Sequence, residues 1–290
     1  MSEKIVVVGQ VARDLVLRVG HAPGAQEAVP AVERIEVLGG KGANQAVALA
    51  QLGLPVALLG VVGDDDHVLE RARADGIDVA PVVRRAGATT GLIVSLVDDD
   101  AHWHYVEHLP AEVLLTEDDV VAARDVLGSA SATIVQLQQP AGAALAAVRA
   151  SGGLVVLDGT PRDDDVLAGA DVVRADATEA RRLTGARDAD EAVDAGRELL
   201  ARHDLTLVAL AVADGDVFVW RDGARVFRHG DERVVDTTGA GDALVATLTA
   251  VLVRGGEPAE AAERAVAAAG VAVGHLGGRP HLEGFPLRAG

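Results

Sequence analysis

Residues 234–242 read Val234-Val235-Asp236-Thr237-Thr238-Gly239-Ala240-Gly241-Asp242, the stretch of the chain richest in chemistry. A β-branched run ends in a glycine-containing turn, and a helix is expected to begin there. Glycines let a backbone approach a ligand closely, and the unspent N–H groups of a first helical turn, reinforced by the helix dipole, bind anions. Asp242 falls inside that positive end, where its side chain is expected to stay ionised and to face whatever the amides hold. Anion hole plus carboxylate suits phosphoryl transfer. The amides of Gly239, Ala240 and Gly241 neutralise charge developing on a phosphate, and the carboxylate takes the proton of an acceptor hydroxyl. Taken alone, the stretch is equally an ordinary helix-starting turn in which Asp242 complements the dipole.

A second segment, Gly39-Gly40-Lys41-Gly42-Ala43-Asn44-Gln45-Ala46, also opens a helix. Three glycines in four residues destabilise a helix start unless something needs the space. The spacing Gly-x4-Gly-Lys-Ser/Thr of a phosphate-binding Walker loop is absent. Asn44, one turn into the helix, can donate to and accept from a polyol. A plain glycine turn before an alanine-rich helix accounts for the glycines, although not for Lys41, one of only two lysines, with Lys4. Asp14, just past the first strand, can grip two hydroxyls at the carboxyl edge of a parallel sheet, where ligands bind. A salt bridge is the competing reading for Asp14, as a surface ion pair is for Arg13 beside it.

The elements that must position these groups alternate. Continuous apolar runs at Ile5–Val8, Val56–Val62, Thr133–Leu137, Leu154–Leu157, Asp171–Val173 and Leu205–Val212 read as strands covered on both faces. Helical composition fills Gly42–Leu52, Val68–Ala74, Glu117–Leu127, Ala141–Ala150, Thr178–Leu183 and Ala189–Arg202. Such alternation predicts a parallel sheet with right-handed crossovers. Asp14–Val37 and Thr90–Val106 break the pattern with β-like alternation, and together they predict a small accessory sheet. Asp216–Trp220 and Arg225–Arg228 around Arg221-Asp222-Gly223-Ala224 predict a hairpin, in which Trp220 is read as a packing residue, with a place beside an adenine as the alternative. A final helix is expected over Gly239–Arg254, with Leu244, Val245, Leu248, Val251 and Leu252 on one face.

Composition narrows the function. Lys+Arg number 26 against 44 Asp+Glu, a net charge of −18, which argues against wrapping nucleic acid or sitting on an anionic membrane. The absence of cysteine excludes disulfides, zinc-thiolate sites and thiol nucleophiles. No apolar stretch reaches membrane-spanning length, and the first is too short for a signal peptide, so a cytoplasmic protein is expected. The acidic runs Asp98-Asp99-Asp100 and Asp163-Asp164-Asp165 read as solvated loop tips. His102, His104 and His108, interleaved with Trp103 and Tyr105, read as lid-edge packing or a sugar-stacking surface rather than a metal site.

The two glycine segments, in this order along the chain, resemble the signatures of the ribokinase-like (PfkB) carbohydrate kinases. Gly53, Val62-Gly63-Asp64-Asp65 and Glu179-Ala180-Arg181-Arg182-Leu183-Thr184-Gly185 add to the resemblance, which runs from Ile5 to about Pro280. It implies a three-layer α/β/α domain with a mostly parallel central sheet, from residues 1–14, 38–89 and 107–290. A β-sheet lid, from 15–37 and 90–106, would pair two protomers into a homodimer. The implied reaction transfers the γ-phosphate of ATP to a sugar hydroxyl, with Asp242 as base and Gly239, Ala240 and Gly241 as anion hole. Asp14, Gly40, Lys41, Asn44 and Gln138 would line the sugar pocket, and Asp176, Glu179, Val212, Gly215 and Gly241 the nucleotide site. Glu179 would organise Mg2+ through water, and Asp236, Thr238, Ala272 and Gly277 would surround a monovalent cation, K+.

Several positions depart from the family pattern. Gln138 stands where a sugar-contacting Glu is common, Glu112 where an Asn often follows Gly-Ala, and Asp176 replaces the Asn of Asn-x-x-Glu. Leu210-Ala211-Val212 replaces the phosphate-holding Thr-Leu-Gly, losing a hydroxyl and a glycine, and His281 replaces a Ser near the cation. The sugar-side changes point away from plain ribose. A nucleoside kinase of the same fold, or a non-catalytic homologue with an eroded ATP site, are the alternatives.

Overall fold

The computed structural model describes residues 3–64, 66–98, 102–230 and 234–288; Asp65, Asp99 and Asp100 lie outside the described residues, as does the side chain of Trp103. Strand β1 (Ile5–Val8) already dictates a layered architecture. Ile5 and Val7 belong to one apolar core, Val6 and Val8 to another, because successive side chains of a strand point to opposite faces. Both faces are therefore covered, which is why the strand reads as an unbroken apolar run.

The chain continues through β2 (Ala12–Val19), β3 (Ala31–Gly39), α1 (Lys41–Gln51), β4 (Val56–Leu59), β5 (Val61–Val62) and α2 (Asp66–Ala74). Next come β6 (Val83–Arg84), β7 (Gly91–Val97), β8 (Trp103–His108), α3 (Glu117–Ala122), α4 (Arg124–Gly128) and β9 (Ala132–Gln136). Then follow α5 (Ala141–Ala150), β10 (Leu154–Asp158), α6 (Asp164–Ala168), β11 (Val172–Ala175), α7 (Ala177–Thr184) and α8 (Ala189–Arg202). The last elements are β12 (Leu207–Val212), β13 (Gly215–Trp220), β14 (Gly223–Arg228), α9 (Ala240–Val253) and α10 (Pro258–Ala272).

Eight strands form the main sheet in the order β14-β13-β12-β11-β10-β9-β1-β4. The six from β12 to β4 are parallel, and the β13–β14 hairpin adds an antiparallel edge. One core packs α1, α2, α9 and α10 on one face, and the other packs α3 to α8 on the opposite face. A separate four-stranded sheet runs β3-β2-β7-β8, and β5 pairs with β6 alone. No helix among the described residues is long and apolar enough to cross a membrane.

Three local expectations are corrected. The helix expected over Glu117–Leu127 breaks at Ala123, which leaves helical geometry at φ −93°, ψ 6°. The run Val56–Val62 is two strands, because Gly60 diverts the chain and β5 leaves the main sheet to pair with β6. Helix α9 buries every residue from Asp242 to Val251, so it is a central helix held between sheet, α1 and α10 rather than a one-faced surface helix.

Candidate active site

The carboxyl ends of β1, β9, β10 and β11 converge on the N-termini of α1 and α9, the edge where parallel sheets bind ligands. Gly239, at φ +81°, caps α9 in the left-handed region, and a Cβ there would fall inside the carbonyl of Gly278. Only glycine serves both demands. Asp242, third residue of the helix, is 5% exposed. Asn44 Nδ2 donates to its Oδ2 at 3.2 Å and Gln45 Nε2 to its Oδ1 at 3.2 Å. Burial, then the charge of Asp158, push the Asp242 carboxyl up to about 7, against Lys41, Asn44 and Arg174. The expectation of a fully ionised Asp242 is thus corrected: burial outweighs the dipole, and the group is poised to gain or lose a proton near neutrality.

Asp242 opens into a cavity of 290 Å³. Its walls carry Asp14, Gly40, Lys41, Asn44 and Gln138, five residues expected there from the sequence, with Thr237, Thr238 and Gly239. Gln10 and, from the smaller sheet, Ile93, Ser95, Tyr105 and Glu107 complete it. Asp14 Oδ1 and Gln10 Nε2 are buried without a hydrogen-bond partner among the described residues. Such groups are costly unless a ligand completes them. Burial, then Asp242, raise the Asp14 carboxyl to about 7, while the N–H of Gly40 lowers it. The ion pair that competed for Asp14 belongs to its neighbour, since Arg13 binds Glu36. The glycines of the second segment serve the chain itself. A Cβ at Gly39 would fall inside the Asp14 carboxyl, and one at Gly42 would meet the backbone of Gly9 at 2.7 Å.

A second cavity, of 400 Å³, lies on the other side of the first turn of α9, with Thr237 shared between the two. Ala240, Gly241, Arg174 and Asp216 line its polar end, and Leu244, Val266, Ala269 and Gly270 its apolar end. Arg174 Nη1 donates to Asp158 Oδ1 at 3.0 Å, and Asp158 Oδ2 accepts from Gln45 Nε2 at 2.7 Å. Lys41 Nζ stands 4.0 Å from Glu179 Oε1. Burial works against the Lys41 ammonium, but Asp158, Asp242 and Glu179 more than offset it and hold Lys41 charged. Burial raises the Glu179 carboxyl, with Lys41 opposing.

Asp176 and Glu179 form a reciprocal capping box at α7. Asp176 Oδ1 accepts from the Glu179 N–H and Glu179 Oε2 from the Asp176 N–H, both at 2.9 Å. Asp in place of Asn therefore keeps the cap. Val212 and Gly215 flank the β12–β13 turn and are not among the residues lining the second cavity; Asp216 is. Gly215 is crowded by the Phe227 carbonyl on β14, a demand of the hairpin. Trp220 packs on the core and over Gly223, away from both cavities.

Asp236 clamps a loop junction. Its Oδ1 accepts from Thr238 N at 2.9 Å and Thr238 Oγ1 at 2.7 Å, and its Oδ2 from Gly277 N at 2.9 Å. Ala272, ending α10, is next to Val273, whose carbonyl accepts from the Val235 and Asp236 N–H groups. His281 stacks on His275 with ring centroids 4.0 Å apart.

The residues missed from sequence are Gln10, Asp158, Arg174, Asp216 and, from the smaller sheet, Ile93, Ser95 and Glu107; Tyr105, expected in lid-edge packing or a sugar-stacking surface, lines the cavity. Asp158 and Arg174 had a signal: a charge ending the apolar run Leu154-Val155-Val156-Leu157, and a charge inside Val172-Val173-Arg174-Ala175. Glu107 had none, since strand alternation alone places it on the cavity side with Tyr105.

The family pattern described as "pfkB family carbohydrate kinase" matches residues 2–283. The ribokinase of Haemophilus influenzae is 30% identical over 254 residues, covering 83% of this chain and 83% of that one. The bifunctional protein HldE of Pseudomonas fluorescens is 32% identical over 289 residues, covering 94% of this chain and 60% of the relative. The chain spans about half the length of another relative, the bifunctional ribokinase/ribose-5-phosphate isomerase A of Fructilactobacillus sanfranciscensis (28% identical; 86% of this chain, 48% of that one). Among solved structures, Arabidopsis thaliana ribokinase complexed with ribose and ATP superposes with a TM-score of 0.77 at 25% identity, covering 97% and 95% of the two chains. Adenosine kinase from Sinorhizobium meliloti gives 0.80 at 25% identity, covering 98% of each.

Proposed function

The chain belongs to the PfkB family of carbohydrate kinases, and from that premise we propose that it transfers the γ-phosphate of ATP to a hydroxyl of a neutral, polyhydroxylated sugar. The observation that carries this reading is Asp242: buried, poised near neutrality, at the start of α9, and open to a polar cavity. The acceptor cavity holds three acidic side chains, Asp14, Glu107 and Asp242, with Lys41 as its one cation, a lining that suits hydroxyls better than an acceptor already bearing phosphate. The partnerless Asp14 Oδ1 and Gln10 Nε2 are matched by the donors and acceptors of adjacent hydroxyls.

In this reading Asp14, Gln10 and Asn44 orient the sugar with one hydroxyl against Asp242, which takes its proton as the oxygen attacks. The first-turn amides of α9, from Gly239 to Asp242, hold the charge that develops on the transferring phosphate. Lys41, in the wall of the acceptor cavity and close to Asp158, Asp242 and Glu179, supplies a fixed positive charge. The apolar wall of Leu244, Val266 and Ala269 takes the nucleotide base, and the second cavity has the room for it. Mg2+ bound to the nucleotide phosphates supplies charge neutralisation. Glu179 would accept from a water of that metal ion.

We assign K+ to the junction of Asp236, Thr238, Ala272 and Gly277. The fit there is partial, because the Asp236 carboxylate already accepts three hydrogen bonds from this chain, and turnover in K+ against tetramethylammonium checks it. A lid-to-lid homodimer completes the reading. Val32 on β3 and Val106 on β8, the two edge strands of the smaller sheet, are 62% and 75% exposed, an apolar surface that a second copy would cover.

A nucleoside acceptor is the second reading, favoured by Tyr105 in the cavity wall as a stacking face for a base. A coupled ADP assay over free sugars, sugar phosphates and nucleosides separates the two. Asp242→Asn is expected to lower turnover by about 10²- to 10⁴-fold with nucleotide binding retained. Full turnover in that variant, or a preference for sugar phosphates, removes the proposal.

A further inference from the structure

The mechanism above leaves Arg174 unused, although among the described residues it is the only buried Lys or Arg. It interrupts the apolar strand β11 at 8% exposure, and burying a guanidinium costs several kcal/mol unless partners compensate. One partner is visible: Nη1 donates to Asp158 Oδ1, and no other hydrogen bond of the Arg174 side chain is found among the described residues. The rest of the fork reaches the first turn of α9. A Cβ placed on Gly241 would lie 2.5 Å from Nη2, so the glycine is what admits the guanidinium to the helix start. There it lines the second cavity beside Ala240 and Gly241.

Two positive features, a helix N-terminus and a guanidinium, are thus held side by side facing open space. Asp158 balances part of that charge, and the open space beside both is where a further anion would join them. The charged groups around the fork are Asp158, Glu179, Asp242, Lys41 and, across the cavity, Asp216. Only Asp158 is bonded to it. The neighbouring strand adds the second half of the argument. Register places Arg174 beside Ala209 and Ala175 beside Leu210, so β11 runs alongside Leu210-Ala211-Val212, which has no side-chain donor. A donor missing from β12 has a stronger counterpart one strand away.

We propose that Arg174 is a phosphate-binding residue: its guanidinium fork hydrogen-bonds the terminal phosphates of the nucleotide at the start of α9, supplying from β11 the contact that β12 lacks. Asp158 then has a defined task. It holds the fork in place and balances its charge until the polyanion arrives. The planar fork matters as well as the charge, because it engages two phosphate oxygens at once. This inference rests on the kinase reading for the identity of the ligand, though not for its class, a polyphosphate.

The test is titration calorimetry with two probes, Mg-bound adenylyl imidodiphosphate and inorganic tripolyphosphate, on the full chain. Steady-state KM values for ATP and for the acceptor are measured in parallel. The double variant Asp158→Asn/Arg174→Met removes the pair without leaving a buried charge. It is expected to melt near the parent temperature, to bind both probes roughly 10- to 100-fold more weakly, and to keep its acceptor KM. Parent-like affinity for both probes in that variant overturns the proposal and leaves Arg174 a structural ion pair. Should the double variant fail to fold, Arg174→Lys decides: it keeps charge and loses the fork, and unchanged probe affinity again overturns the proposal. A parent protein that binds both probes but phosphorylates no sugar or nucleoside defeats the kinase reading while the Arg174 comparison still stands. A parent protein that binds neither probe removes both.

Discussion

Asp242 and Asp14 sit in one cavity with carboxyls held near 7, each raised first by burial and then by a neighbouring carboxylate. A base poised near the working pH maximises proton transfer, so the rate is expected to rise through an acid limb with an apparent pKa near 7. Asp158→Asn removes one of the charges that raise Asp242, and the limb is expected to move to lower pH; an unmoved limb assigns it to another group. Stability carries the opposite sign. A folded-state pKa above the usual 3.8 contributes stability that is full below about pH 4 and is lost as pH rises through 7. The melting temperature is therefore expected to fall between pH 5 and 8, and Asp242→Asn to flatten that fall and to melt higher than the parent at pH 8. At this scale glycine turns and a strand end pointed to Asp14, Lys41, Asn44 and Asp242, and the family resemblance to Gln138, all of which line the cavity. The sequence did not disclose the protonation of Asp242, because desolvation and the approach of Asp158 are products of the fold.

Helix α9 concentrates the site into one turn, and its start depends on a single backbone conformation. Gly239→Ala would force a side chain into the left-handed region and against the Gly278 carbonyl. A loss of about 1–3 kcal/mol is expected, read as a lower melting temperature together with a raised KM for ATP. Most elements were legible from periodicity alone; β1, α5 and α8 begin and end where their apolar patterns do. Helix α10 was not expected, although Pro258 after Glu257 is a helix-start signal, because its alanine-rich face lacks the large apolar residues that mark a stripe. The burial of α9 on all sides was hidden for a related reason. A helix with threonines and alanines around its circumference reads as one-faced until a second helix, α10, is known to cover it.

The whole molecule divides its labour between two sheets. The main sheet with α1 and α9 carries Lys41, Asp242, Arg174 and the second cavity. The smaller sheet carries Asp14 on β2, Ile93 and Ser95 on β7, and Tyr105 and Glu107 on β8. Glu107→Ala is expected to raise the acceptor KM roughly 10-fold while leaving the KM for ATP unchanged, a split that a merely destabilising change would not produce. Val106→Asp, on the opposite face of the same strand, is expected to shift the sedimentation coefficient toward the monomer if the edge strands hold two copies together. The placement of Asp14 has an engineering corollary. Its strand leaves β1 after only three residues, so the smaller sheet is grafted onto the phosphate machinery through a very short stem, and Asp14 travels with the graft together with Glu107. Exchanging that sheet for one of different lining would redirect the chain to another alcohol and leave the donor half untouched.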